Sequence, residues 1–184
     1  IELGYGSDLD IVFVYSGAGG ATAGPRVIDN VRFFNRLAQR VVHVLSTNVA
    51  QGSLYEVDLR LRPDGGSGLP CVTLESFRKY QNESAWTWEH QALVRARPVA
   101  GTEALSQTLE TLRLEVLCQA RDPDDLLDAV VSMRRRMFQD AQGRLQGEPG
   151  EFDIKRDPGG IVDIEFVVQF LVLRFARDNP ELAK

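Results

Sequence analysis

One short run in this chain leaves the backbone little choice. Residues 53–62 (SLYEVDLRLR) alternate between apolar and charged side chains. Tyr55, Val57, Leu59 and Leu61 fall on one side, and Glu56, Asp58, Arg60 and Arg62 on the other. A period of two belongs to a strand, so the run predicts a half-buried strand with one face on a core and one polar face. Pro63-Asp64-Gly65-Gly66-Ser67-Gly68 then reads as a loop. Residues 9–15 (LDIVFVY), rich in β-branched and aromatic side chains, predict a second strand. Between the two lie a small-residue loop at 16–25 and a helix. Asp29 is placed to cap that helix, and Val31, Phe34, Leu37, Ala38, Val41 and Leu45 recur along one side.

The rest reads as helical. Residues 75–81 and 85–97 form one helical region, closed by Pro98 and Gly101. Thr102 caps a helix carrying Leu105, Leu109, Leu112 and Val116 on a shared face. Asp122-Pro123-Asp124-Asp125 starts another, with proline at the first helical position and acids in the first turn. Its apolar side is Leu126, Leu127, Val130, Met133 and Met137. A linker is expected at 142–151, a short strand at 152–155, a turn at 157–160, and a largely apolar, buried helix at 161–176. Strands mixed with helices, then helices alone, predict an α+β fold with a boundary near Pro98–Gly101. The expected domains are 1–101 and 102–184, both parts of a longer soluble protein, since residue 1 is Ile and no signal peptide is read.

Composition narrows the function. The 184 residues are 43% hydrophobic, enough for a core, and a net charge of −5 argues against a nucleic-acid-coating protein. Two cysteines, Cys71 and Cys118, make neither a disulfide framework nor a zinc cluster, which suits a reducing cytoplasm. The apolar tract at 164–173 is too short to span a membrane and carries Glu165 and Gln169.

The chemistry concentrates in acids. In Gly6-Ser7-Asp8-Leu9-Asp10, side chains two apart on a strand share a face, so Asp8 and Asp10 project together. Paired carboxylates suit Mg²⁺ or Mn²⁺ bound together with substrate phosphates; solvated acids on an edge strand are the plainer reading. Asp58 adds a third acid if the two strands pair, with Arg60 and Arg62 beside it for phosphate. The alternative is a sheet face covered by internal Asp–Arg ion pairs.

Four blocks carry a family resemblance: GSDLDIVFVY, YEVDLRLRPDGGSG, AWTWEHQALVRAR and FDIKRDPGGIVDIEF. In that order they resemble the glutamine synthetase adenylyltransferase family, whose members adenylylate and deadenylylate glutamine synthetase in bacterial nitrogen control. The resemblance implies a DNA polymerase β-type nucleotidyltransferase domain, a small mixed sheet with flanking helices, followed by a helical region. It also implies metal-binding catalytic carboxylates at Asp8, Asp10 and Asp58. The implied reaction moves AMP from ATP to a tyrosine hydroxyl of glutamine synthetase and releases pyrophosphate, under signals that include the PII protein. The second, third and fourth blocks resemble the adenylylating half more than the deadenylylating one, which implies the C-terminal adenylyltransferase half. The superfamily's Gly-Gly or Gly-Ser phosphate cradle would fall before Ile1; Gly6-Ser7 is too close to Asp8 to be that pair and is expected to shape the turn at the nucleotide.

Two rivals stand beside this reading. One is the deadenylylating half, which removes AMP by phosphorolysis. The other is a non-catalytic module that senses a nucleotide or PII, against which three clustered acids argue. Lys155 beside Gly159-Gly160 reads either as a second phosphate contact or as a tight turn before a helix. Trp86, Trp88 and His90 read as packing between helices, and Arg134-Arg135-Arg136 as partners of Asp124, Asp125 and Asp128 on their own helix. Asp163 and Glu165 interrupt an apolar helix, so at least one is expected to pair with an arginine such as Arg95 or Arg97.

Overall fold

The computed structural model describes residues 8–17, 19–50, 52–53, 55–142 and 152–184. The chain divides into two compact units, Ile1–Ser84 and Ala85–Lys184. That division lies upstream of the boundary expected near Pro98–Gly101, because the helix Thr87–Leu93 packs with the later helices. The linker expected at 142–151 lies, beyond its first residue, outside the described residues.

In the first unit the predicted strand at 9–15 is two strands, β1 (Leu9–Asp10) and β2 (Phe13–Tyr15). The run changes partner midway. β1 pairs in parallel with β5 (Val57–Asp58), and β2 pairs in parallel with β6 (Cys71–Thr73). A parallel pair needs a crossover rather than a tight turn. The β1-to-β5 connection contains helix α1 (Asn30–Leu45) and an antiparallel hairpin of β3 (Asn48–Val49) and β4 (Gly52–Ser53). Asp29 caps α1 as expected: its Oδ1 accepts from the N–H groups of Val31 at 2.8 Å and Arg32 at 3.2 Å. Helix α2 (Leu74–Glu83) follows β6, with the Thr73 hydroxyl accepting from Ser76 N–H at 3.0 Å.

The core of this unit is small: Tyr15, Ala38 and Cys71, flanked by Phe13 and Phe34. Tyr15 and Phe34 stack at 4.5 Å between ring centroids. Burial pushes the Cys71 thiol up to about 11, which makes it an inert packing group. Asn35 of α1 meets both backbone groups of Cys71, accepting its N–H at 3.0 Å and donating to its C=O at 3.3 Å.

The second unit contains α3 (Thr87–Leu93), α4 (Glu103–Leu117), α5 (Pro123–Gln142) and α6 (Ile161–Phe175), with a 3₁₀ turn at Pro180–Ala183. The expected helical region at 75–97 is thus two helices, α2 and α3, interrupted at Ser84–Trp86. The Asp122 carboxylate opens α5, accepting from the N–H groups of Asp124 at 2.9 Å and Asp125 at 3.1 Å. Leu117, Leu126, Val130, Val172, Leu173, Ala176 and Ala183 form the core.

Several sequence expectations change here. Residues 153–157 form a turn, with Asp157 N–H donating to Asp153 C=O at 2.9 Å, so the short strand expected there is absent. Helix α6 is buried on one side only. Val162, Val172 and Leu173 face the core, while Ile161, Ile164, Val168, Leu171 and Phe175 lie exposed. Glu165 pairs with Arg95 at 2.7 Å as anticipated, but Asp163 pairs with Arg134 of α5. Arg134 therefore ties two helices together instead of pairing within its own. Trp86 is 71% exposed and so is not core, whereas His90 is buried with its Nδ1 3.3 Å from Arg121 Nη2. Among the described residues, no helix is long and apolar enough to cross a membrane.

Candidate functional site

The expectation that the two acidic strands lie side by side is met by the β1–β5 pair. Leu9 N–H donates to Glu56 C=O at 2.8 Å, and Ile11 N–H to Asp58 C=O at 2.9 Å. This register sets Asp10 opposite Asp58. Register partners on neighbouring strands project to the same face, so these carboxylates are adjacent. Asp8, exposed, precedes Asp10 by the two residues that return a strand to the same face.

Asp58 ends its own strand. Its Oδ1 accepts the backbone N–H of Arg60 at 2.7 Å, and Arg62 N–H donates to Leu59 C=O at 3.3 Å. An aspartate that accepts from the N–H two residues on turns the chain out of the ladder. The regular alternation predicted through residue 62 therefore stops at Asp58, and the two arginines part company.

Arg60 folds back onto Asp58: its Nε donates to Oδ2 at 2.6 Å and its Nη2 completes the ion pair. These bonds, above all the one from the Arg60 side chain, hold the Asp58 carboxyl below the usual aspartate range. The Arg60 guanidinium is raised in turn, by its bond to Asp58 first and by the charges of Asp10 and Asp8 after it. Three acids and one arginine thus share one electrostatic neighbourhood.

Arg62 does something different. It donates to the carbonyls of Leu59 at 2.7 Å, Gly66 at 3.1 Å and Gly68 at 3.2 Å, clasping the loop that follows the site. A Cβ on Gly68 would overlap the Pro63 carbonyl, so glycine is required for the loop to close. The expectation for Arg62 was a phosphate contact; here three of its N–H groups are bonded to backbone carbonyls. The Gly-Gly-Ser-Gly run was the one sequence signal for this clasp.

Gly6 and Ser7 lie outside the described residues. Lys155 belongs to the second unit. The amides beside it are already satisfied: Gly159 N–H by Asp163 at 2.6 Å, Gly160 N–H by Asp157 C=O at 2.8 Å, and Ile161 N–H by Ile154 C=O at 2.8 Å. Of the two readings of this segment, the tight turn matches these bonds. A cavity of about 240 Å³ lies along α1, lined by Arg40, Val41, Val44 and Leu45, and contains no acid.

The acids have the hard oxygens that Mg²⁺ and Mn²⁺ prefer. The arrangement does not close on such an ion. Among the described residues, no group of three or more His, Cys, Asp or Glu is placed to hold a metal. Both oxygens of Asp58 accept from Arg60 instead.

Fold and site together define a mixed α/β unit with acids clustered on a parallel strand pair, followed by a helical unit. The sequence model of the glutamate-ammonia ligase adenylyltransferase family matches residues 1–112, and the chain belongs to that family. It is 52% identical to a bifunctional glutamine synthetase adenylyltransferase/adenylyl-removing enzyme of Thioalkalivibrio sulfidiphilus, over 99% of this chain and 19% of that protein. Proteins of the same name from Hahella chejuensis and Idiomarina loihiensis are 48% and 50% identical, over 99% and 100% of this chain. The chain spans about a fifth of the length of these relatives, 19% in each case.

Proposed function

We propose that this chain supplies the nucleotidyltransferase unit, of DNA polymerase β type, in a cytoplasmic enzyme that adenylylates glutamine synthetase. The substrate is ATP. The tyrosine oxygen attacks the α-phosphorus, the bond from that phosphorus to the bridging oxygen breaks, pyrophosphate leaves, and the hydroxyl proton passes to solvent. The observation that carries this reading is the in-register pairing of Asp10 with Asp58, beside Asp8, in a chain of this family.

The chain's own contribution is positioning. Asp8, Asp10 and Asp58 mark the centre, and Arg60 is the cation among them with a side chain in solvent. A guanidinium binds phosphate oxygens through charge-assisted bonds. Arg62 holds the adjoining loop in shape, and in-line transfer depends on such placement. Mg²⁺ or Mn²⁺ suits the donor set, but the acids as arranged do not hold one, and no step is assigned to it. PII is the regulatory partner that the family resemblance brings with it.

The test is transfer of labelled AMP from ATP to glutamine synthetase by a polypeptide containing this chain. Asp10→Asn and Asp58→Asn should each slow transfer about 100-fold or more, a barrier increase of about 2.7 kcal/mol. Full activity in either variant would remove that acid from the centre. The relatives' names also include adenylyl removal. Release of ADP from adenylylated glutamine synthetase and phosphate, without forward transfer, would assign the chain to that reaction instead.

A further inference from the structure

We infer that the arginine-bearing face of helix α1 docks the protein substrate, taking an acidic segment of it with an apolar side chain seated in the hollow along the helix. The inference rests on the proposed transfer of AMP to a protein, and deepens it by giving that protein a place to bind.

Two observations meet on this helix. First, residues 30–45 include Arg32, Arg36, Arg40 and His43 and no acid, in a chain of net charge −5. Positions four apart on a helix share a face and lie about 6 Å apart along its axis, so the three arginines form a row. All three are exposed, and among the described residues none of them forms an ion pair. Arg60, Arg95 and Arg134 are the contrast, since each meets a carboxylate. Like charges at this spacing repel one another, and acids brought by another molecule relieve that repulsion.

Second, an apolar row runs beside the arginines. Phe33, Leu37, Val41 and Val44 are exposed along the neighbouring edge of α1, while Phe34 and Ala38 turn to the core. The row leads to the hollow of about 240 Å³ lined by Arg40, Val41, Val44 and Leu45. Small-molecule sites usually enclose about 300–1,000 Å³, so this one suits a single side chain of a partner.

An apolar strip edged by arginines is the layout of a protein interface. A nucleic acid would use the arginines and leave the strip uncovered. A membrane surface calls for a wider apolar sector than a helix already packed on a core has to spare. The protein substrate is the occupant because its tyrosine has to be held beside Asp10 and Asp58, which belong to the same compact unit as α1. Those acids offer an acidic partner no grip, so the grip comes from the basic face of the unit.

Steady-state AMP transfer by a full-length polypeptide containing this chain tests the docking, with glutamine synthetase and ATP varied separately. Arg36→Glu combined with Arg40→Glu should raise KM for glutamine synthetase about tenfold, while kcat and KM for ATP stay within about twofold. Arg36→Lys combined with Arg40→Lys keeps the charge and should retain most of the affinity. Val44→Asp, at the hollow, should raise the same KM about fivefold, since it puts a charge where an apolar group is seated. Added salt should raise the parent's KM for glutamine synthetase more than that of the charge-reversed variant, because exposed charges are screened. An unchanged KM for glutamine synthetase in the charge-reversed variant or in Val44→Asp overturns the proposal, and so does an equal loss toward ATP. Parent binding to phosphatidylserine vesicles that is lost on charge reversal, with KM for glutamine synthetase untouched, assigns the face to a membrane instead. Surface plasmon resonance of the same proteins on immobilised glutamine synthetase, without ATP, reads docking independently of transfer. Binding without transfer sinks the catalytic reading alone, and transfer with an unchanged KM sinks the docking alone.

Discussion

The two units of this chain are held by different means. In the helical unit, seven buried apolar residues from α4, α5, α6 and the C-terminal turn form one cluster, and polar pairs tie its helices where they emerge. In the strand unit the apolar cluster is three residues, and polar groups decide where the backbone goes. Asp58 terminates β5, Arg62 clasps the next loop, and Asn35 completes the bonding of Cys71. Packing specifies the first architecture; hydrogen bonds specify the second. The candidate site lies in the second, where Arg60, beside the aspartate that turns the chain, also stands among the clustered acids.

Breaking the larger core should cost most. Leu117 is fully buried, and Leu117→Ala should lower stability by about 2–5 kcal/mol. Both tryptophans, Trp86 and Trp88, fall in the helical unit, and all four tyrosines precede Ala85. Chemical denaturation followed by tryptophan fluorescence should therefore register the loss far more than the tyrosine signal does. A matched loss in both would mean that one cooperative core governs the whole chain.

The strand unit is best probed at its loop. Gly68→Ala forces the Pro63 carbonyl aside, at a cost of about 1–3 kcal/mol, the usual range for overpacking. Its effect should stay local: hydrogen exchange at residues 64–68 accelerates while the tryptophan-detected transition holds still. If the whole unit unfolds instead, the loop is part of its stability rather than an attachment.

The smallest effect is electrostatic. Asp163 accepts from Gly159 N–H and pairs with Arg134, and these bonds, the amide first, hold its carboxyl below the usual aspartate range. A depressed folded-state value means that the stabilisation is complete above the unfolded-state pKa and is lost as pH falls through the folded one. The tryptophan-detected stability should thus decline on acidification, and Asp163→Asn should flatten that decline. An unchanged acid limb would show that the pairing contributes nothing net.

Much of this was readable from sequence, and for local reasons. Asp29, Thr102 and Asp122 act through amides two or three residues away, so the helix starts they mark appear where expected. The acids of β1 and β5 were legible as a group because strand period alone places them. What escaped depends on partners remote in sequence. Residues 9–15 gave no sign of serving two different strands, and the apolar length of α6 concealed that only one side would meet a core. An internal Asp–Arg ion pair was one of the two readings of this face and is the one seen, but which arginine would take Asp58 and which the loop was not legible. That required knowing that the strand ends where its aspartate turns the chain.

Asn35 carries a final consequence. A side-chain amide presents one acceptor and one donor, the same pair that a peptide unit presents along a strand. By taking both backbone groups of Cys71, it does for that residue what an added strand would do, using an atom set borrowed from a helix. Sheets with open edges recruit other chains, and proteins usually discourage this with charge, proline or a bulge. Here α1 performs that service at the first residue of β6: the helix that covers the sheet also finishes its border, so the sheet is kept from growing at that point by the element that packs against it.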